Sequence, residues 1–314
     1  MKLKKCNLIK RWLDTRMTNS LVFLAILLQI IGCSDSDTTT SPEYISEIEH
    51  WQQLRVDSLK GQTGFLNLAG LFWINNEVSS IGADSTNSFV FPAKTAKILG
   101  QIILKNDSVW FVQHKPGLVN VEGNANTDTT LIFLEGSISL SMSSGDLHWF
   151  IIKRGTEYGV RLKDYNHPLL ATFNHIDTYP IDAKWRVEAT WEDYTDPKTV
   201  TVHNQVGMEI EQQVLGALIF ELEGESYKLE PLGEVYAGEH FVLIYDKTSG
   251  HETYGSGRYI YVPAVNEEGI TFIDFNKAYN PPCVYTEYAT CLFPHEANRL
   301  PISIEAGEKY SGTH

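Results

Sequence analysis

Between positions 185 and 192 the chain alternates: Trp185, Val187, Ala189 and Trp191 are separated by Arg186, Glu188, Thr190 and Glu192. A period of two puts the apolar side chains on one face of a strand and the polar ones on the other, as in an antiparallel strand half buried against a core. Short runs of the same kind recur at residues 96–104, 109–113, 131–134, 138–142, 147–153, 158–162, 199–203, 215–222, 226–230, 241–246, 258–262 and 270–275. Turns such as Glu135-Gly136, Ser144-Gly145-Asp146, Glu223-Gly224-Glu225 and Glu267-Glu268-Gly269 punctuate them. One segment has a different period. Ser41-Pro42-Glu43 supplies an N-cap, a proline at the first helical position and an acid at the positive end of the dipole, and Tyr44, Ile48, Trp51 and Leu59 then recur near the helical spacing. A helix is expected over 42–60. Many short strands and one N-terminal helix predict a mainly β fold, an antiparallel β-sandwich or partly closed β-barrel. With no repeat and no interior linker, residues 43–314 are expected to form a single β-rich domain.

Ahead of the helix the pattern is that of an address. Lys2, Lys4, Lys5, Lys10, Arg11 and Arg16 precede an uncharged run from Leu21 to Ile31 that leads into Ile30-Ile31-Gly32-Cys33. A basic region and an apolar region of about 11 residues fit an export signal and are short for a membrane-spanning helix. The residues ending in Cys33 resemble the bacterial lipobox, which implies lipidation of Cys33 after removal of residues 1–32. Two acyl chains on one site would hold the protein stably on a membrane. Residues 33–42, small and polar from Ser34 to Pro42, then form a flexible tether. The expected location is the cell envelope, periplasmic or surface-exposed, with the lipid anchor as the contact with the membrane.

Charge narrows the partners. Against 25 Lys and Arg stand 39 Asp and Glu, a net of −14. The first 32 residues hold six of the basic residues and one of the acidic, so processing would leave 19 against 38, a net of −19. A body so acidic offers no basic face to displace counterions, which argues against nucleic acid as partner. Of the four cysteines, Cys6 would leave with the signal and Cys33 would carry lipid. Cys283 and Cys291 remain, and in an oxidising compartment a disulfide between them is expected.

The densest chemistry lies near the C-terminus. The strings Gly-His-Glu-Thr-Tyr-Gly-Ser-Gly-Arg-Tyr (250–259) and Asp-Phe-Asn-Lys-Ala-Tyr-Asn-Pro-Pro-Cys (274–283), followed by Cys291 and Asn298, resemble the bacterial and archaeal family labelled domain of unknown function 1684. The likeness extends upstream through Gly64 to Trp73, Arg154-Gly155, Val160-Arg161 and Tyr179-Pro180, and so covers nearly all of residues 43–309. It implies a recurring cysteine pair at Cys283 and Cys291 and an Asn-Pro-Pro turn at Asn280 to Pro282, and it assigns them no role.

From the residues themselves two readings stay open. The glycines at 250, 255 and 257 could let backbone amides and Arg258 cradle a carboxylate, phosphate or sulfate. They could equally form a tight turn in which Arg258 pairs with Asp274 or Asp246. Asp274 follows an apolar run and needs a partner, for which Arg258 is the natural choice. Tyr254, Arg258, Asp274, Asn276 and Asn280 are therefore the candidate ligand-binding residues of a small-molecule site, or members of a satisfied network closing the barrel end. A hydrolase using Asp274 or His295 as general acid or base is the alternative, and a structural or assembly factor of the envelope, with a protein partner the sequence does not name, is the other. No nucleotide-binding motif, nucleophile elbow or paired metal-ligand spacing is present, so neither cofactor nor metal is expected.

Overall fold

The computed structural model describes residues 40–123, 128–310 and 312. The expected signal peptide at 1–32, Cys33 and most of the 33–42 tether lie outside the described residues. Helix α1 (Pro42–Lys60) starts where local chemistry places it. Ser41 accepts the amide of Tyr44 at 3.2 Å, Pro42 opens the first turn, and Gly61 closes the last by donating to the carbonyls of Asp57 and Ser58. Ile48, Val56 and Leu59 form its buried side.

The strands of the first core follow: β1 (Leu68–Trp73), β2 (Val78–Gly82), β3 (Phe89–Val90), β4 (Gly100–Lys105), β5 (Ser108–Gln113), β6 (Asn120–Val121), β7 (Thr129–Leu134), β8 (Ile138–Ser139), β9 (Met142–Ser144), β10 (Leu147–Arg154) and β11 (Glu157–Asp164). They form a five-stranded sheet ordered β1-β11-β10-β9-β6 and a six-stranded sheet ordered β3-β2-β4-β5-β7-β8. Pairing is antiparallel except between β2 and β3. One hydrophobic cluster fills the space between these sheets, with Ile81, Leu99, Ile102, Val109, Trp149 and Val160 at its centre. Neither β1 nor β2 was legible as an alternating run. The apolar stretch Leu68 to Trp73 has little exposed on either face, so a period of two has no polar face to appear on.

After a single helical turn α2 (Leu169–Thr172) the second part begins: β12 (Arg186–His203), β13 (Glu209–Leu222), β14 (Glu225–Leu229), β15 (Glu239–Ile244), β16 (Arg258–Pro263) and β17 (Ile270–Asp274). A four-stranded sheet ordered β14-β13-β12-β17 and the β15-β16 ribbon share a second cluster that includes Leu218, Val242, Ile260 and Ile273. The runs at 185–192 and 199–203, separate in the sequence reading, belong to one strand whose register shifts between Asp193 and Lys198. The mainly β architecture, with one substantial helix among the described residues, agrees with the expectation.

Arg258 faces this second core. It alternates with Ile260 and Val262, both fully buried, and is itself 0% exposed. Its guanidinium donates to Asp246 Oδ2 at 2.9 Å, to the carbonyl of Ile304 at 2.9 Å, and to those of Ala306 and Glu308. The β15-β16 register sets Ile244 opposite Arg258, so Asp246 two residues on falls beside the guanidinium. Asp246 in turn accepts from Thr248 and from the amide of Ile304. Removing one member of a buried pair strands the other, at a cost of about 3–5 kcal/mol. Asp246→Asn should therefore lower the unfolding free energy in urea by about that amount. A loss under about 1 kcal/mol would mean that the three carbonyls suffice to hold the guanidinium.

Candidate functional site

The five residues expected to converge on a ligand do not do so. Arg258 is sealed in the core. The pairing with Asp274 proposed from sequence is not formed, because β12 and β17 run in a register that sets Asp274 against Arg186, and Tyr44 of α1 donates its hydroxyl to Asp274 at 2.8 Å. Asp274 also caps the following turn by accepting the amide of Asn276 at 3.1 Å. Asn276 is spent on Asp182, whose amide it accepts at 3.2 Å and whose carbonyl it donates to at 2.9 Å. Asn280 grips the C-terminal segment: its amide donates to Glu308 Oε2 at 2.6 Å and its Nδ2 to the carbonyl of Lys309 at 2.9 Å. Tyr254 stands apart, edge-on to Tyr310 and bonded through its hydroxyl to Cys283. Asp274 and Asn276 thus form one network, while Arg258 and Asn280 belong to another that meets at Glu308, whose carbonyl accepts from Arg258 at 3.3 Å and whose carboxylate accepts the Asn280 amide.

The glycine-rich loop is likewise self-satisfied. Gly250 and Gly257 have φ of 82° and 87°, and a Cβ on Gly257 would lie 2.4 Å from the carbonyl oxygen of Ile244. The amides of His251, Glu252 and Thr253 all reach the carbonyl of Thr248, and those of Gly250 and Gly257 reach Thr253 and Tyr254. These amides are spent inside the turn, which leaves them unavailable to an anion.

Cys283 and Cys291 are in contact as free thiols, and the expected disulfide is not formed. In the 3-10 turn Pro282–Val284 the Cys283 amide lies in the first turn, where no backbone carbonyl precedes it in the helix, and it donates to Cys291 Sγ at 3.0 Å. Hydrogen bonds from Cys291 and Tyr254 to the Cys283 sulfur outweigh burial and lower its pKa, while Cys291 is pushed up. His295, half-buried, lies against the buried Glu230 at 3.2 Å, and no Ser, Thr or Cys hydrogen-bonds either of them among the described residues.

A different set of basic groups has no such partners. On β11, Tyr158, Val160 and Leu162 face the first core, so Arg161 and Lys163 point the opposite way. That outer face is covered by the segments at 62–64 and 288–291. Lys163 donates to the carbonyls of Gln62 and Gly64 at 2.6 and 3.1 Å. Arg161, 8% exposed, has only a 3.5 Å contact from Nη2 to the carbonyl of Tyr288, and its buried Nε has no acceptor. Arg154, at the end of β10, donates to Thr290 Oγ1 at 3.2 Å and to its neighbour's carbonyl. Among the described residues neither arginine has a carboxylate in ion-pair reach, although the chain is rich in acid. Burial, reinforced by Arg154, lowers Arg161 to about 10, and burial lowers Lys163 to about 8 with Arg161 adding to it.

Arg154 and Arg161 border a cleft of about 220 Å³ together with Phe65, Thr290 and Cys291. Across Phe65, Phe241, Tyr259 and Pro282 this cleft adjoins a larger one of about 490 Å³ under α1, whose helix side is Trp51, Leu54 and Arg55. A further open cleft of about 260 Å³ lies beside Asn280, His175 and Lys309, but its charges are paired: His175 with Asp177 and Lys309 with Glu252. The unpaired guanidiniums make the first cleft the candidate anion site. Sequence reading passed over Arg154 and Arg161 except as part of a family likeness. The available signal was a basic residue alternating with Val160 and Leu162 in a strand whose both faces are buried.

Taken together, the chain is a mainly antiparallel β protein with two large hydrophobic clusters, two smaller ones and a basic cleft on the outer face of β11. Residues 171–309 match the model of the family described as Protein of unknown function (DUF1684), which bears out the likeness read from the strings at 250–259 and 274–283. Arg154 and Arg161 lie before the matched residues. No curated protein matches the chain. Among solved structures, the solution NMR structure of an uncharacterized protein from gene locus rrnAC0354 of Haloarcula marismortui is 28% identical, over 46% of this chain and 80% of that one, with a TM-score of 0.39.

Glu230 supplies a stability test for the second core. Burial would raise its pKa, but hydrogen bonds from Lys198, Tyr194 and His295 outweigh it and bring the carboxyl down to about 2. With the folded value below the unfolded one, this contribution is complete above about pH 4.5 and disappears as pH falls towards 2. Glu230→Gln should cost on the order of 2 kcal/mol at pH 7, discounted for the exposed Lys198 end, and nothing near pH 2. Urea unfolding across that range reads it; a constant difference at all pH values would refute the assignment.

Proposed function

We propose that this is a lipid-anchored protein of the cell envelope that binds a small anionic ligand, a carboxylate or a phosphate, between Arg154 and Arg161. The observation that carries the ligand reading is the Arg161 guanidinium, more than nine-tenths buried, without a counter-ion among the described residues and with an unsatisfied Nε. Burying an unpaired charge is costly, and the protein compensates its other buried guanidiniums: Arg258 meets Asp246, and Arg55 meets Glu308 at 3.2 Å. An uncompensated charge opening on a cleft is the arrangement expected of a site completed by its ligand. Arg's planar fork suits a carboxylate or phosphate. The anchor reading rests on the order of basic residues, apolar run and Ile-Gly-Cys at positions 2–33. The hydrolase alternative finds less support, since Asp274 and His295 are engaged in the networks described above.

Two outcomes test this. Cells expressing the protein with labelled palmitate should incorporate label into the wild type and lose it in Cys33→Ser; label retained in that variant would refute the anchor at Cys33. For the site, Arg161→Met should leave the unliganded protein as stable or raise its stability by about 1–3 kcal/mol, because it removes an unpaired buried charge. Acetate or phosphate should raise the melting midpoint of the wild type by mass action and leave the variant unmoved. A destabilised Arg161→Met variant, with no anion effect on the wild type, would make Arg161 a structural residue and end the proposal.

A further inference from the structure

We infer that the ligand is an amphiphile, an anionic head held by Arg154 and Arg161 with an apolar chain lying in the adjoining aromatic trough. This inference rests on the anion site proposed above. The two clefts share Phe65, Phe241, Tyr259 and Pro282, so a molecule leaving the arginines passes directly onto the trough. The wall of that trough is a connected set of rings. Phe241 packs on Tyr259 at 5.1 Å and on Tyr261 at 5.3 Å, and Tyr279 contacts the same two tyrosines at 5.9 and 6.0 Å.

Backbone pairing fixes these rings. The β15-β16 register sets Phe241 opposite Tyr261, and Tyr259 and Tyr279 exchange amide-to-carbonyl bonds of 2.8 Å in both directions. The Tyr259 hydroxyl is spent on the carbonyl of Leu292 at 2.7 Å. At Tyr259 the wall therefore presents apolar ring surface rather than a free hydroxyl. On the opposite side Leu54 of α1 is 52% exposed although it faces the trough, and on the wall itself Tyr261 is 47% exposed. A charged pocket at one end and an open apolar channel at the other match a head and a tail in charge and polarity.

The test titrates the full acylated chain in phosphatidylcholine nanodiscs by calorimetry, with empty discs as the partition control. The probes are acetate, butyrate, hexanoate and octanoate, with octyl phosphate as the phosphate arm and octanol as the neutral one. The dissociation constant should fall roughly threefold per added methylene from butyrate onwards. Octanol should bind at least about tenfold more weakly than octanoate. Whichever of octanoate and octyl phosphate binds tighter identifies the head group as carboxylate or phosphate. Leu54→Glu, a change at an exposed helix position, should weaken octanoate by more than about tenfold and leave acetate as it was.

Each result decides something. Arg161-dependent acetate binding with no gain along the series would overturn the amphiphile and leave the anion site standing. Octanol equal to octanoate would overturn the role of the arginines. No binding by any probe would overturn both.

Discussion

The buried guanidinium of Arg258 is the joint on which the carboxy-terminal part of the molecule turns. It binds Asp246 on one side and three carbonyls of the segment at 304–308 on the other, so it fastens to the core a stretch that lies outside the strands. That fixed segment delivers Glu308, 1% exposed, to a position where it accepts from Arg55 at 3.2 Å, from the amide of Asn280 at 2.6 Å and from the Tyr285 hydroxyl at 3.2 Å. Arg55 then lies over the Tyr279 ring at 4.6 Å and donates to the carbonyl of Asn280. Through this chain of contacts Arg258 helps to hold α1 across the aromatic wall, together with the Tyr44–Asp274 bond and the buried Ile48, Val56 and Leu59.

Two regions of the fold differ in how they treat charge. Around Arg258 and Glu308 every charge has an opposite charge within reach, as a dry interior requires. Around Arg161 the fold holds a buried cation against Arg154, a second cation, and offers carbonyls in place of acids. The first arrangement stabilises the fold. The second costs stability, and it sits where a cavity opens, the usual place for such a cost in a protein that binds something.

The GHETYGSGRY and DFNKAYNPPC strings look like a site because polar and glycine residues are dense in them. Their density serves closure. Gly257 lets the chain pass within van der Waals distance of the Ile244 carbonyl, Asn276 ties the loop at 182 to the end of β17, and Asn280 fixes the C-terminal segment. Of the four aromatic members of the same strings, Tyr259 and Tyr279 reach the trough. A polar residue in a loop can be a ligand or a fastener, and the choice depends on whether its hydrogen bonds are already made within the fold.

Local interactions decided what the chain could announce beforehand. The helix from Pro42 to Lys60 follows from a cap, a proline and a spacing that act within a few residues, and most strands follow from alternation against a core. Even the burial of Arg258 is written in its alternation with Ile260 and Val262. Which acid meets that arginine, and which arginine meets none, is a different kind of fact. Asp246 rather than Asp274 is its partner because of strand register, and Arg161 lacks one because segments more than 90 residues apart, at 62–64 and 288–291, close over the outer face of β11. Contacts of that range depend on the whole chain packing at once, so only the tertiary structure could place them.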